Sequence, residues 1–252
     1  MRVLILGGTT EASALGRVLA TDRRFQATIS LAGRTQNPAP QPLPTRIGGF
    51  GGVDGLARYL VEHRIGALID ATHPFAAQMT RHAGLAARQT ATPLLVIHRP
   101  AWQKQPGQYW IEVPDLPAAA RALGTTPGRV LLTIGQKELA AFASAPGHHY
   151  VVRSVDAPRP EYLPPHAEVI TARGPFAVNE ECALLRERRI DVLVTKNSGG
   201  TATAAKVMAA HLLNLPVIMV SRPAPPASET VATSAEALAW LERHHAVYER
   251  GV

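Results

Sequence analysis

Short runs of consecutive apolar residues alternate with longer stretches of helical periodicity along the chain. The first run, VLIL, leads through two glycines into the helical stretch EASALGRVLA. Similar runs predict strands at ATISLAG, ALIDAT and PLLVIH in the first half, and at RVLLTIG, YVVRSV, EVITA, DVLVTK and PVIMVS in the second. Strands that are apolar throughout and separated by helices are typical of parallel sheets covered on both faces. The pattern therefore predicts an α/β protein.

The two halves of the sequence resemble each other. RVLILGGTTE, from Arg2, matches RVLLTIGQKE, from Arg129. LIDATHPFA matches DVLVTKNSG, which places Thr72 on Thr195 and His73 on Lys196, and PLLVIHRP matches PVIMVSRP. Each half then ends in a short strand and a helix. Three matches in the same order predict an internal repeat.

The repeat predicts two Rossmann-like lobes, at residues 1–126 and 127–252. The division falls at the turn-rich GTTPG, a stretch that suits a linker. Ligands of parallel α/β sheets bind outside the carboxyl ends of the strands. We therefore expect a ligand-binding cleft between the loops of the two lobes.

Composition excludes several classes of protein. In 252 residues, no apolar run approaches the roughly 18 needed to cross a membrane, and no signal-peptide pattern follows Met1. The single cysteine, Cys182, excludes an internal disulfide and a cysteine-rich zinc site. The ten histidines show no metal-binding spacing. We expect a cytoplasmic protein with no bound metal and no membrane contact.

The formal charge of +7 implies an anionic partner. The basic residues are scattered, however, and aromatic residues make up only 5%, which is too few for base-stacking platforms. A small, highly charged ligand therefore fits better than nucleic acid.

The first glycine loop is a candidate nucleotide-binding site. Gly7 and Gly8 permit close approach of a diphosphate, and the helix that begins near Thr9, Thr10 and Glu11 directs free N–H groups toward it. The spaced G-x-G-x-x-G fingerprint is missing. The alternative is a tight turn in which a threonine only caps the helix.

Two further loops favour NADP(H). An acid after the second strand binds the ribose 2′-hydroxyl of NAD, whereas an arginine accommodates the 2′-phosphate of NADP. This sequence has Arg34 there, although a solvated loop arginine is the alternative. The next loop carries Gly48, Gly49 and Phe50, where the chain can pass under a ribose or adenine.

DATHPFA follows a strand in the middle of the first predicted sheet. Asp70 and His73 are the candidate catalytic residues, and Thr72 is a candidate cofactor contact. His73 is open to three interpretations: a proton donor, a ligand contact or a residue at the start of a helix. Pro74 is well placed to begin that helix.

TKNSGG, near the C-terminus, predicts an anion cradle at a helix N-terminus with a cation beside it. It lacks the Walker spacing and is not a P-loop. Structural capping alone is the alternative. Arg153 and Arg173 lie near strand ends, and each taken singly is expected at the surface. The predicted substrate-binding residues are Lys196, Asn197, Ser198, Gly199, Gly200, Thr201 and Arg222.

Together, LILGGTTEA, IGGFGG, DATHPFA with HRP downstream, and TKNSGG resemble the precorrin-6A reductase family, from Met1 to about Arg222. The resemblance implies that a hydride from NADPH saturates one double bond of the oxidised macrocycle to give precorrin-6B in cobalamin biosynthesis. It also implies a polycarboxylate substrate between the lobes, and hand-over to other enzymes of the corrin pathway. The proton donor stays open among His73, Asp70, water and a substrate carboxylate.

Three alternatives stay open at this stage. A closely similar family reduces the cobalt-containing macrocycle, and no residue in the sequence separates the two. A two-lobed nucleotide-sugar transferase would share the architecture, but it would not explain Arg34 as naturally. A non-catalytic two-lobed binder of small molecules is the third, and the glycine-rich first loop argues against it.

Overall fold

The computed structural model describes residues 1–33, 35–36, 38–224 and 227–249. The chain forms two compact units: unit 1 is Met1–Pro100 with Pro223–Val252, and unit 2 is Ala101–Arg222. Each unit contains a six-stranded sheet whose neighbouring strands pair in parallel. The predicted α/β class with two parallel sheets is therefore confirmed.

Strands and helices alternate along the chain. Their bounds are β1 (Arg2–Leu6), α1 (Thr10–Leu19), β2 (Gln26–Leu31), β3 (Thr45–Ile47), α2 (Val53–Glu62), β4 (Ala67–Asp70), α3 (Ala77–Thr90), β5 (Leu94–Ile97), β6 (Trp110–Val113), α4 (Leu116–Ala122), β7 (Arg129–Thr133), a 3₁₀ helix (Gln136–Ser144), β8 (His149–Ser154), a 3₁₀ turn (Pro160–Tyr162), β9 (Ala167–Thr171), α5 (Val178–Glu187), β10 (Val192–Lys196), α6 (Ala205–Leu212), β11 (Val217–Val220), β12 (Thr230–Val231) and α7 (Ser234–Glu249).

The two sheets have the same strand order. It is β12-β5-β4-β1-β2-β3 in unit 1 and β6-β11-β10-β7-β8-β9 in unit 2. Read from the opposite edge, the first sheet runs 3-2-1-4-5 and then a sixth strand, which is the order of dinucleotide-binding folds. Because β7 to β11 occupy the positions of β1 to β5, the internal repeat is present in the structure.

The last strand of each repeat lies in the sheet of the other repeat. β6 pairs with β11, and β12 pairs with β5. A parallel neighbour in the same sheet needs a crossover of a dozen or more residues, usually through a helix. The connection 98–109, between β5 and β6, contains no helix. The expected boundary between residues 126 and 127 is therefore wrong, and the chain passes between the units near residues 100 and 222 instead.

Strand register corrects one alignment of the repeat. Leu6 pairs with Asp70 in unit 1, and Thr133, the counterpart of Leu6, pairs with Thr195 in unit 2. Asp70 and Thr195 are therefore equivalent, and the expected match of Thr72 with Thr195 is wrong by two residues. A shift of two keeps every side chain on the same face of a strand, so apolar strands alone do not reveal it.

Helices cover both faces of β1, the central strand of unit 1. On one face Ile5 packs in a cluster with residues of α1 and α7, including the fully buried Trp240. On the other face Leu4 packs with residues of α2 and α3. Continuous burial of β1 explains why VLIL is apolar at every position. Within the described residues, no helix is long and apolar enough to cross a membrane.

Local structure differs from the sequence expectation at three places. The short strand β3 forms at the start of the expected glycine loop, and the glycine turn after β7 leads into a 3₁₀ helix. Helix α3 begins at Ala77 rather than at Pro74, which lies in a preceding turn. His73 is consequently a loop residue and not the first residue of a helix.

Candidate functional site

The loops after β1 and β4 are joined at the carboxyl edge of the unit 1 sheet. The Gly7 N–H donates to the Ser30 carbonyl oxygen at 2.9 Å, and the Thr9 hydroxyl donates to the Ala71 carbonyl oxygen at 2.7 Å. Thr9 also caps α1, because its hydroxyl oxygen accepts the Ala12 N–H at 3.2 Å. Its side chain is therefore used for local structure, as the capping interpretation expects.

Glycine backbone is left open beside this edge. Gly8, with φ of 114°, and Gly48, with φ of 124°, would each carry a Cβ that meets no atom within 4 Å. Gly49 has the same open surroundings, and no positive φ is recorded for it. Exposed glycine backbone at the carboxyl edge of a sheet with this strand order fits the close approach of a dinucleotide. The cofactor-binding role of the unspaced glycine pair stays a prediction.

Glu11 is an anion in the first turn of α1. Its Oε2 lies 2.7 Å from an Arg99 guanidinium nitrogen and accepts the Thr10 hydroxyl at 3.1 Å. Burial acts to raise the pKa of the Glu11 carboxyl, but a hydrogen bond with its own backbone, the charge of Arg99 and further hydrogen bonds together lower that pKa below its usual value. Arg99 therefore balances a carboxylate where a phosphate is expected to approach.

Arg46, on β3, shapes the second glycine loop. Its guanidinium donates to the Gly49 carbonyl oxygen at 2.6 Å and to the Ser30 hydroxyl at 3.2 Å. The same guanidinium lies 3.9 Å from the ring centroid of Phe50, whose ring also packs edge-on against Tyr59. Sequence analysis missed Arg46, although a cation two residues before a glycine–aromatic loop is the signal that identifies it.

Arg34 lies outside the described residues. Its predicted place follows β2, which ends at Leu31. The loop after β3 approaches this strand end, because the Gly48 N–H donates to the Leu31 carbonyl oxygen at 2.8 Å. The role of Arg34 stays a prediction.

Asp70 has a buried carboxyl group at the end of β4, with an exposed fraction of 1%. Its Oδ1 accepts the Thr72 hydroxyl at 2.7 Å and the Thr72 N–H at 3.0 Å. Its Oδ2 is buried without a hydrogen-bond partner among the described residues. His73 follows in the same loop, and its Nδ1 accepts the Phe75 N–H at 3.2 Å. The structure thus brings the two candidate catalytic residues and Thr72 together.

These three residues line a cavity of about 260 Å³ in unit 1. Its wall combines the DATHPFA loop, one face of α3, the end of β5 and the segment before β12. The basic side chains Arg81 and Arg88 give it positive charge, and His98 also lines it. The lining residues are Asp70, Thr72, His73, Pro74, Ala77, Thr80, Arg81, Gly84, Arg88, Val96, Ile97, His98, Pro223, Ala224, Ala227 and Ser228.

In unit 2, Lys196 ends β10 beside a carboxylate. Its Nζ lies 2.7 Å and 3.0 Å from the two carboxylate oxygens of Glu138. Glu138 is the repeat counterpart of Glu11, so each unit places an acid after its first strand against a cation at another strand end. The expected equivalence of Lys196 with His73 is wrong, because the register makes Lys196 the counterpart of Ala71.

The loop after Lys196 is held by bonds within unit 2. The Asn197 side chain accepts the Trp102 N–H at 2.8 Å and donates to the Trp102 carbonyl oxygen at 3.0 Å. The Arg222 guanidinium donates to the carbonyl oxygens of Asn197 and Ser198 at 2.7 Å and 2.9 Å. Gly199 and Gly200 have φ of 63° and 75°. Thr201 is exposed. These contacts hold the turn in place, and its predicted role in substrate binding stays a prediction.

Unit 2 also contains buried charged side chains. Sequence analysis expected one of them at the surface and did not single out the others. Arg153 is 8% exposed and forms an ion pair with Glu181, so the expectation that it lies at the surface is wrong. Its guanidinium lies 4.1 Å from the ring centroid of Phe176. Lys206, in the first turn of α6, is 6% exposed. Among the described residues, no three metal-binding side chains converge.

Comparison with known proteins shows the family. The profile described as "Precorrin-6x reductase CbiJ/CobK" matches residues 2–242. The chain is 50% identical to the precorrin-6A reductase of Rhodobacter capsulatus, over 100% of this chain and 99% of that protein. It is 30% identical to the cobalt-precorrin-6A reductase of Priestia megaterium, over 88% and 90%. The solved structure "CobK precorrin-6A reductase" superimposes with a TM-score of 0.92 at 50% identity, covering 97% of each chain. The chain therefore belongs to the precorrin-6x reductase family.

Proposed function

We propose that the protein is an NADPH-dependent precorrin-6A reductase, which saturates one double bond of the macrocycle to give precorrin-6B. The observation that carries the proposal is the 50% identity, along the whole chain, with the Rhodobacter capsulatus protein that bears this name. Identity with a relative named for the cobalt-containing substrate is lower, at 30%. This difference in identity supports the metal-free macrocycle as the substrate.

Unit 1 holds the cofactor in this proposal. The backbone at Gly7 and Gly8 and the first turn of α1, at Thr10 and Glu11, receive the diphosphate, while Arg34 binds the 2′-phosphate. The open backbone at Gly48 and Gly49 and the ring of Phe50 pass beneath the ribose or adenine. The strand order of the sheet and the open glycine surroundings support this placement.

The cofactor, when bound, supplies the hydride, and the protein positions the acceptor carbon and excludes water. The neighbouring carbon needs one proton to complete the reduction. Asp70 and His73 line the same cavity. The buried Oδ2 of Asp70 has no hydrogen-bond partner among the described residues, so none of them competes for it. We propose that Asp70 delivers this proton and that His73 contacts the substrate. Arg81 and Arg88 give the cavity the positive charge that a polycarboxylate substrate requires.

The test is anaerobic turnover with three reagent pairs on the same preparation. We expect NADPH to be consumed in a one-to-one ratio with precorrin-6A, and much more slowly with cobalt-precorrin-6A. NADH should replace NADPH poorly. Faster turnover of the cobalt-containing macrocycle would assign the protein to the other substrate, and no oxidation of NADPH with either macrocycle would reject the proposal.

A further inference from the structure

Lys206 is a buried lysine with no anionic partner in contact. It lies in the first turn of α6, and its side chain is almost fully enclosed. Within the described part of the chain its ammonium makes no hydrogen bond and no ion pair, and its nearest recorded partner is the ring of Trp102, with 5.8 Å between Nζ and the ring centroid. Burial of an ammonium without hydrogen bonds is costly, so a position of this kind requires an explanation.

The charges around Lys206 do not balance it. Arg153 and Glu181 form one ion pair, and Lys196 and Glu138 form another. Lys206 therefore adds one uncompensated positive charge to this cluster. Its enclosure lowers its pKa to about 7, and the charges of Arg153 and Lys196 act in the same direction, whereas Glu181 opposes them.

The position in the helix adds to the imbalance. The N-terminus of an α-helix carries a partial positive charge, which favours anions and disfavours cations. No side chain caps α6 at Ala204, so its first-turn N–H groups lack a side-chain acceptor. The Val207 N–H already donates to the Ala204 carbonyl oxygen at 3.0 Å. A bound anion near the start of the helix would be stabilised by the ammonium and by the helix dipole together.

We propose that Lys206 is a further cation of unit 2, besides the predicted Lys196, that binds a carboxylate of the substrate. The inference rests on the proposed function, since the ligand is a peripheral acetate or propionate group of precorrin-6A. The chain just before Lys206 lies nearer to solvent than Lys206 itself, because Thr201 is exposed and Ala202 to Ala204 are half-buried. Lys196 differs from Lys206 because its ammonium is already paired with the Glu138 carboxylate.

The experiment compares Lys206→Met with Lys137→Met. Methionine keeps the length and the apolar stem of lysine but removes the charge, and Lys137 is an exposed lysine of the same unit. We expect Lys206→Met to lower kcat/KM for precorrin-6A by about 10- to 100-fold, mainly through KM, because charge-assisted hydrogen bonds are lost. The NADPH dissociation constant should stay within about twofold of the wild-type value. Lys137→Met should match the wild type in both.

Two further measurements separate binding from a structural role. Lys206→Met should be at least as stable as the wild type in urea, since no partner is left unpaired; lower stability with unchanged KM would make Lys206 a structural partner of Glu181 and overturn the inference. In the wild type, KM for precorrin-6A should rise as the pH increases through about 7, because Lys206 loses its positive charge there. A KM that is independent of pH in this range would also overturn it.

The outcomes also distinguish this inference from the proposed function. If the wild type fails to oxidise NADPH with either macrocycle, the proposed function fails. If the wild type is active and Lys206→Met is as active as Lys137→Met, only the role of Lys206 fails.

Discussion

Lys196 and Glu138 form a two-pronged ion pair, with Nζ 2.7 Å from one carboxylate oxygen and 3.0 Å from the other. The same Glu138 carboxylate accepts the Gly135 N–H at 2.7 Å and thereby caps the 3₁₀ helix that follows β7. Glu138 is therefore anchored, and a substrate carboxylate that binds Lys196 has to share the ammonium with it.

Glu138→Gln should release Lys196 for the substrate. The glutamine carbonyl oxygen can still accept the Gly135 N–H, so the helix cap is kept. We expect KM for precorrin-6A to fall by roughly twofold to fivefold, because a partly exposed pair is worth about 1 kcal/mol or less. Lys196→Ala should raise KM. Steady-state kinetics of both variants provides the measurement. A higher KM for Glu138→Gln would show instead that Glu138 positions Lys196.

Gly49→Ala tests whether the cofactor lies against the second glycine loop. A Cβ at Gly49 meets no protein atom, and no positive φ is recorded there, so the variant should be no less stable than the wild type. If the cofactor occupies that space, the NADPH dissociation constant should rise roughly tenfold, or about 1.4 kcal/mol. Fluorescence titration measures it.

Gly147→Ala is the matched control for this variant. Gly147 is exposed, has the same open surroundings and lies in unit 2. The Gly147→Ala variant should bind NADPH with the same affinity as the wild type. If the two variants bind NADPH with equal affinity, the Gly48–Phe50 loop does not contact the cofactor.

Arg34→Ala tests the preference for NADPH. Charge-assisted hydrogen bonds to the 2′-phosphate are worth roughly 1.5–3 kcal/mol. The variant should bind NADPH about 10- to 100-fold more weakly and leave the affinity for NADH nearly unchanged. Titration with both cofactors decides the matter, since equal losses for the two would exclude a contact with the 2′-phosphate.

The regular parts of the fold could be predicted from the sequence because their cause is local. Each buried parallel strand needs apolar side chains on both faces, and VLIL and PVIMVS show this directly. The exchange of β6 and β12 was not predictable in this way, because those strands look alike in either sheet. Only the lack of a helix between residues 98 and 109 indicates it.

The site was predictable where glycine or a strand end marks it. Gly8 and Asp70 both lie at the expected edge of the unit 1 sheet. Burial of charged residues was not predictable, because it depends on partners far along the chain: Arg153 meets Glu181, which is 28 residues away. Lys206 was missed for a different reason: a single lysine in a helical stretch is normally exposed.

The burial of Lys206 should make the stability of the protein depend on pH. Its folded-state pKa is lowered from 10.5 to about 7, chiefly by burial. Between these values the unfolded chain binds a proton that the folded chain does not bind, so the free energy of unfolding should increase as the pH rises. The urea midpoint, measured from about pH 7 to about pH 10, should rise more for the wild type than for Lys206→Met. Identical slopes would show that the lysine is not enclosed in solution.

Asp70→Asn tests proton delivery. The asparagine side chain keeps the volume, and its carbonyl oxygen can still accept the two hydrogen bonds from Thr72. An amide cannot deliver the proton that a carboxyl group delivers. We therefore expect kcat to fall by roughly 10²- to 10⁴-fold, the usual contribution of a general acid, while the NADPH dissociation constant is unchanged.

Thr72→Val separates this role from the positioning of Asp70. Valine is similar in size to threonine and removes only the hydroxyl bond to Oδ1, so Asp70 keeps its carboxyl group and loses one of its two hydrogen bonds from Thr72. Thr72→Val should lower kcat by much less than Asp70→Asn does. If Asp70→Asn keeps full kcat, the proton comes from His73, from water or from a substrate carboxylate. If the two variants are equally impaired, Asp70 acts through the shape of the loop and not through its proton.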